Sequence, residues 1–272
     1  MSNRKFICKF QEKDNRDYSF RAEKNSDNTE TYYLKNPSDT EINTSISEIV
    51  STSPNFYQLS NLSDILDQGN IGSCVPNAFA FCISLKTNKT LNMSRLYHYV
   101  NSRILDSSPL NKDAGTTVRT ACKAIKNYGT VLESSYPYNP NIFVKFPPLS
   151  IYKSAILFNN FSYTFVKQDL ISIKNCLNTF KSPIIFALLV FDSFLRPQVA
   201  NTGMVPMPNI KKDRLLGGHC MNIVGYNDES RRFRCINSWG RGWGKDGMCM
   251  LPYNYLLNPR LAADFCFLQF TD

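Results

Sequence analysis

Only two histidines, His98 and His219, occur in the 272 residues, so almost no choice exists for an imidazole base. Cys-X-X-Cys pairs are absent too, although nine cysteines are scattered along the chain, several inside apolar runs such as FAFCISL and ADFCFLQF. An odd, dispersed set reads as reduced, buried thiols of an intracellular protein rather than a disulfide framework. With so few histidines and no clustered thiols, no metal site is expected. No run approaches the ~18 apolar residues of a membrane span. The opening MSNRKFICKFQEKDNRDYSF has no uninterrupted apolar core, so no secretory leader is expected. No tract holds five basic residues in a row. The net charge of +9 therefore reads as a solvated basic surface, capable of weak polyanion binding but implying no obligatory nucleic-acid or membrane partner.

What is present describes a globular protein with a large core, in one domain or in two lobes: 43% of residues are apolar and 19% charged. Residues 1–50 are set apart by polarity and mixed charge. Within them EKNSDNTETYYLKNPSDTEINTS reads as a loop or an extended arm. The body, residues 51–272, opens near NFYQLSNLSDILDQG. From Cys74, CVPNAFAFCISLK predicts a buried helix with Pro76 in its first turn. MSRLYHYVNSRIL and TTVRTACKAIKNYG carry apolar residues at helical spacing, the second stopped by Gly129. After SSYPYNPN the texture changes to short strand-like runs: SPIIFALLVF, HCMNIVGYN, RFRCINSW, GMCMLPY and ADFCFLQF. The expected class is α+β, helical over about 58–150 and antiparallel β over about 151–272.

The stretch QGNIGSCVPNAFAF, residues 68–81, places a thiol at the mouth of a helix with a side-chain amide six residues upstream. A thiol attacks carbonyl carbon as thiolate, and both a helix N-terminus and a nearby imidazolium favour that form. His98, in SRLYHYVNSR, sits among helix-period apolar residues and reads as a packing histidine. His219, in LLGGHCMNIVGY, follows two glycines that permit close approach to its ring, and it is the expected base. Asn237, 18 residues on, is the candidate orienting partner, with Trp239 covering the bond between them. The backbone N–H of Cys74 and the amide of Gln68 are candidate donors for an oxyanion.

The order Gln68, Cys74, His219, Asn237 resembles that of the papain-like cysteine peptidases. Gly72-Ser73-Cys74 matches the nucleophile block of that family, GGHCMNIVGYND its histidine block, and INSWGRGWGKDGMCML its asparagine block. GTTVRTACKAIKNYGTVLESSYPYN is similar to the stretch that ends in Tyr-Pro-Tyr. MSRLYHYVNSR and NTGMVPMP look like the disulfide-poor branch of microbes and large DNA viruses, a source that the Asn- and Lys-rich composition also suggests. The resemblance covers roughly residues 57–270. It departs at Val75, where secreted relatives carry tryptophan, at Ile71, where they carry a disulfide cysteine, and at Gly218, where aspartate is common. Asp113-Ala114-Gly115 preserves part of a glycine-rich wall.

This resemblance implies a two-lobe fold, with a helical left lobe, an antiparallel β-barrel-like right lobe and a cleft between them. It further implies a cysteine peptidase acting on polypeptides without a cofactor. In that role Cys74 is the nucleophile, His219 the base and Asn237 its orienting partner. Gln68 and Cys74 hold the oxyanion, Trp239 supports the ring, and Gly115 and Gly218 line the substrate path. An endopeptidase is expected, cytoplasmic or carried in a virion, with residues 1–50 as an N-terminal extension or short inhibitory segment. Two other readings compete: a catalytically silent binding or virion structural protein, and a transglutaminase or amidase with a Cys-His-Asp triad.

Overall fold

In the computed structural model, residues 4–12, 14, 17–27, 29–35, 53–158 and 161–270 are described. In chain order the elements are β1 (Tyr18–Lys24), β2 (Glu30–Lys35), β3 (Phe56–Gln58), α1 (Cys74–Lys86), α2 (Arg95–Leu105), α3 (Val118–Tyr128), α4 (Leu149–Lys153), β4 (Phe161–Val166), α5 (Leu170–Phe180), β5 (Ile184–Phe191), α6 (Pro197–Thr202), β6 (Leu215–Asn227), β7 (Arg232–Ile236), β8 (Met248–Pro252), α7 (Tyr253–Leu256) and β9 (Ala262–Phe270).

The three longer helices of the first half lie where the periodicity puts them. Helix α1 is apolar on every side, and all residues from Cys74 to Ser84 are buried. A helix of that kind has to lie inside the molecule, and α1 packs on α2 and α3 on one side and on β5 and β6 on the other. Pro76 falls in its first turn, where no intrahelical N–H is lost. Ser94 caps α2 by accepting from the Tyr97 N–H, and Thr117 caps α3 through the Thr120 N–H. Gly129, at φ +63°, ends α3 in the left-handed region that a side chain disfavours. His98 is a packing residue. Its Nε2–H donates to the Ala121 carbonyl at 2.8 Å, its ring meets Phe79 edge-on, and burial pushes its pKa down to about 4.

The second half supplies most of one sheet, ordered β2-β1-β4-β9-β5-β6-β7-β8, with β3 pairing β6. Every pairing is antiparallel except β1 with β4. The sheet does not close; among the described residues β2 and β8 end its main path, and β3 is a short branch on β6. The two lobes meet along α1 and the β5–β6 ladder.

One expectation is corrected. Glu30–Lys35, inside the stretch expected to be loop or arm, is a strand hydrogen-bonded to β1, so part of that stretch belongs to the sheet. Its residues 36–45 lie outside the described residues. The alternation there is short and masked by charge, yet it turns Phe20, Ala22 and Tyr32 inward. Phe20 lies edge-on to Phe180 and Phe267, so α5 and β9 give the hairpin its apolar seat.

Candidate active site

Cys74 is the first residue of α1 and is completely buried. Its N–H belongs to the first turn, where no acceptor exists within the helix. His219 lies in β6, paired with Leu188 of β5, and Asn237 follows directly after β7. The antiparallel register of β6 and β7 brings the last two side chains together. His219 Nε2–H donates to Asn237 Oδ1 at 2.8 Å, and the same oxygen accepts the Ser238 N–H at 2.8 Å. Two donors on one atom identify it as the amide oxygen. They also fix the proton of the neutral ring on Nε2, which leaves Nδ1 unpartnered among the described residues and open to the Cys74 thiol, whose pKa the imidazole pulls down.

Trp239 stacks obliquely on His219 with ring centroids 5.1 Å apart, and Phe194 and Trp243 back it. The His219–Asn237 bond is thus kept in apolar surroundings that strengthen it. Gln68 is also buried. Its Oε1 accepts from the Ser238 hydroxyl at 2.7 Å, and its Nε2 donates to the Ile71 carbonyl at 3.0 Å, which leaves a second N–H on the same nitrogen. The Tyr138 hydroxyl links the Gln68 carbonyl to the Ser73 hydroxyl, tying the glutamine loop to the start of α1.

The cleft is occupied by the chain's own N-terminus. Residues 4–12 run between the lobes and touch nearly every feature singled out above. Arg4 pairs with Asp67 and donates to the carbonyls of Gly69 (3.0 Å) and Trp239 (3.3 Å). Lys5 pairs with Asp113 at 2.8 Å. Phe6 stands edge-on to both His219 and Trp239, with centroids 5.9 and 5.7 Å away. The Cys8 N–H donates to the Gly218 carbonyl at 2.9 Å, and the Lys9 N–H to that of Thr116 at 3.1 Å. Beyond them, the Gln11 and Glu12 oxygens accept from Arg119.

Gly115 and Gly218 therefore line a path that a peptide already fills. A Cβ at Gly115, whose φ is +63°, would stand 1.7 Å from the Ile7 carbonyl oxygen, and one at Gly218 would stand 2.0 Å from that of Cys8. The sequence reading missed Arg4, Phe6 and Cys8 as members of the site. The one local signal is the three-residue apolar run in KFICKF, too short to distinguish from chance.

The segment also changes the chemistry. Cys74 was expected to be acidic, yet its pKa stands well above the ordinary value. The Cys8 thiol in contact with it raises it most, burial adds to that, and the pull of His219 in the other direction is outweighed. With the segment in place the Cys8 thiol and burial both favour the protonated, less reactive form of Cys74.

A sequence pattern described as papain family cysteine protease matches residues 54–258. An uncharacterized peptidase C1-like protein of Acanthamoeba polyphaga mimivirus is 36% identical over 221 residues, covering 76% of this chain and 70% of that protein. The viral cathepsin of Autographa californica nuclear polyhedrosis virus is 23% identical over 216 residues, 73% of this chain, and the match spans 58% of its length. Among solved structures, xylellain, a cysteine protease from Xylella fastidiosa, superposes with a TM-score of 0.78 at 29% identity, covering 100% of this chain and 97% of that one.

Proposed function

The chain belongs to the papain family of cysteine proteases, and on that premise we propose that it is an endopeptidase using Cys74, His219 and Asn237, held inactive by residues 4–12. The reading is carried by one observation: a fully buried cysteine at the start of α1 beside a fully buried imidazole whose far nitrogen is fixed to an amide oxygen at 2.8 Å.

Once the segment leaves, the Cys74 proton passes to His219 Nδ1 and the sulfur attacks the scissile carbonyl. The Cys74 N–H and the spare N–H of Gln68 receive the oxyanion. His219 returns its proton to the departing amine, leaving a thioester on Cys74. The neutral ring then takes a proton from water, whose attack releases the acid and restores the thiol. Asn237 keeps the imidazole facing the sulfur through both transfers, and Trp239 shields that hydrogen bond. Gly115 and Gly218 give a substrate's backbone the room that residues 7 and 8 now take.

Internal cleavage is favoured by the course of the segment. Arg4 reaches the Asp67–Trp239 side of the cleft and Gln11 reaches Arg119 on the other, so a peptide extends past the sulfur in both directions. The covered nucleophile supports synthesis as a zymogen. The mimivirus and baculovirus relatives, together with the Asn- and Lys-rich composition, support a large DNA virus as source.

The test is the Cys74→Ala chain beside the unaltered one, with the segment loosened in both by Phe6→Ala. Loss of peptidyl-substrate hydrolysis and of labelling by an epoxide thiol reagent is expected. Undiminished hydrolysis without Cys74 would refute the assignment. Truncation near Asn55 is the poorer experiment, because it strips β1, whose Phe20 and Ala22 are core residues.

A further inference from the structure

We propose that Cys8 is the redox partner of Cys74: oxidation joins the two sulfurs in a disulfide that locks the N-terminal segment over the site. This rests on the reading of Cys74 as nucleophile and of residues 4–12 as an inhibitory segment. The main chain at Cys8 is fixed from both lobes, by its N–H on the Gly218 carbonyl (2.9 Å) and by the Lys9 N–H on that of Thr116 (3.1 Å). Its own carbonyl fills the space beside Gly218 that a Cβ would occupy. So held, Cys8 shares one buried cluster with Cys74 and Cys220, and its thiol acts on the pKa of both. Both Cys8 and Cys74 belong to the same buried apolar cluster, so the two thiols meet inside one enclosure rather than by diffusion.

A cysteine at this point does more than fill space. If bulk alone were required, any small apolar side chain would serve in the cluster; a thiol adds a second sulfur at the nucleophile. Shortening sulfur contact to a bond of about 2.05 Å places the necessary shift on a segment outside any helix or strand.

The oxidant is a hydroperoxide, hydrogen peroxide in the simplest case. When the segment lifts, Cys74 transfers its proton to His219 and the thiolate attacks the O–O bond. A sulfenic acid forms on Cys74, and the departing hydroxide takes the proton as water. The segment then closes, the Cys8 sulfur attacks the sulfenic sulfur, the S–S bond forms and the S–O bond breaks. That second hydroxide leaves as water with the Cys8 proton. Two thiols and one peroxide become one disulfide and two waters, and a dithiol reductant reverses the change. The bond stops Cys74 before it reaches the sulfinic acid, which thiols do not reduce. It also holds the segment in place after a proteolytic nick between Lys9 and β1.

The experiment treats the full reduced chain and its Cys8→Ser variant with hydrogen peroxide, alkylates free thiols, and maps peptides by mass spectrometry without reduction. The unaltered chain is expected to lose two hydrogen masses, to yield a linked Cys8–Cys74 peptide, and to regain labelling of Cys74 after dithiothreitol. The variant is expected to carry Cys74 with two or three added oxygens and to recover no labelling. A Cys8–Cys220 link with Cys74 free, or equal overoxidation of Cys74 in both chains, overturns the proposal. A linked peptide from a chain that hydrolyses nothing after reduction and loosening would uphold the disulfide and sink the catalytic reading instead.

Discussion

Asn237 spends its oxygen on two donors, and its Nδ2 is buried without a partner. That uneven use is the mark of a residue held for one hydrogen bond. Asn237→Ala is expected to cost about 1–3 kcal/mol of transition-state stabilisation, a roughly ten- to hundred-fold fall in kcat/KM. Asn237→Asp should keep more activity and shift the basic limb of the pH profile upward, because a carboxylate favours the imidazolium. Loss of stability with an unchanged pH profile would mark a merely structural residue. At this scale the sequence was most informative. His219 was legible because the chain has only two histidines, and Gln68, Cys74 and Asn237 because of the blocks around them, QGNIGSC and INSWG.

Among the elements, the segment 4–12 was the least legible. It has no repeating hydrogen-bond pattern and takes its shape from the cleft it fills, so no local propensity announces it. Phe6 is its aromatic anchor, and each ring pair of this kind contributes about 0.5–1.5 kcal/mol. Phe6→Ala, which removes the contacts with His219 and Trp239 and the packing behind them, is expected to raise the rate of epoxide labelling of Cys74 by roughly tenfold. A rate equal to that of the parent chain would show that the segment does not guard the sulfur. By contrast, α1, α2 and α3 were readable in advance, because capping and periodicity are local properties. The strand β2 was not, since its six residues include one inward-facing aromatic, Tyr32, and its register depends on β1.

For the molecule as a whole, the seam where segment, helix and sheet meet carries a buried acid. Asp264 of β9 has its pKa raised from 3.8 to about 7, chiefly by desolvation, while the Gln11 N–H and Arg119 oppose the rise and Asp17 adds to it. A carboxyl raised on folding binds more protons folded than unfolded, so its contribution is fully present below the unfolded value and fades as pH climbs through the folded one. Stability is therefore expected to decline from about pH 4 to about pH 7 on account of this group. Asp264→Asn should flatten that decline and raise Tm most at pH 8, with little change at pH 4. A variant whose Tm follows the parent at every pH would exclude Asp264 as the cause. The net basic charge has partly structural uses at this scale: Arg232 of the SRRFR cluster donates to the carbonyls of Val205 and Met250.

The order of residue types along the chain was enough to fix the fold class, the family and the four side chains proposed for catalysis, because each depends on local pattern or on scarce chemistry. The tertiary structure alone decided that burial and the Cys8 thiol push the Cys74 pKa up and that the cleft holds residues 4–12. Both follow from contacts between positions far apart in the chain, residue 8 being buried in one cluster with residue 74. No window of sequence contains that neighbourhood; it exists only after the two lobes have closed on the strand of chain between them.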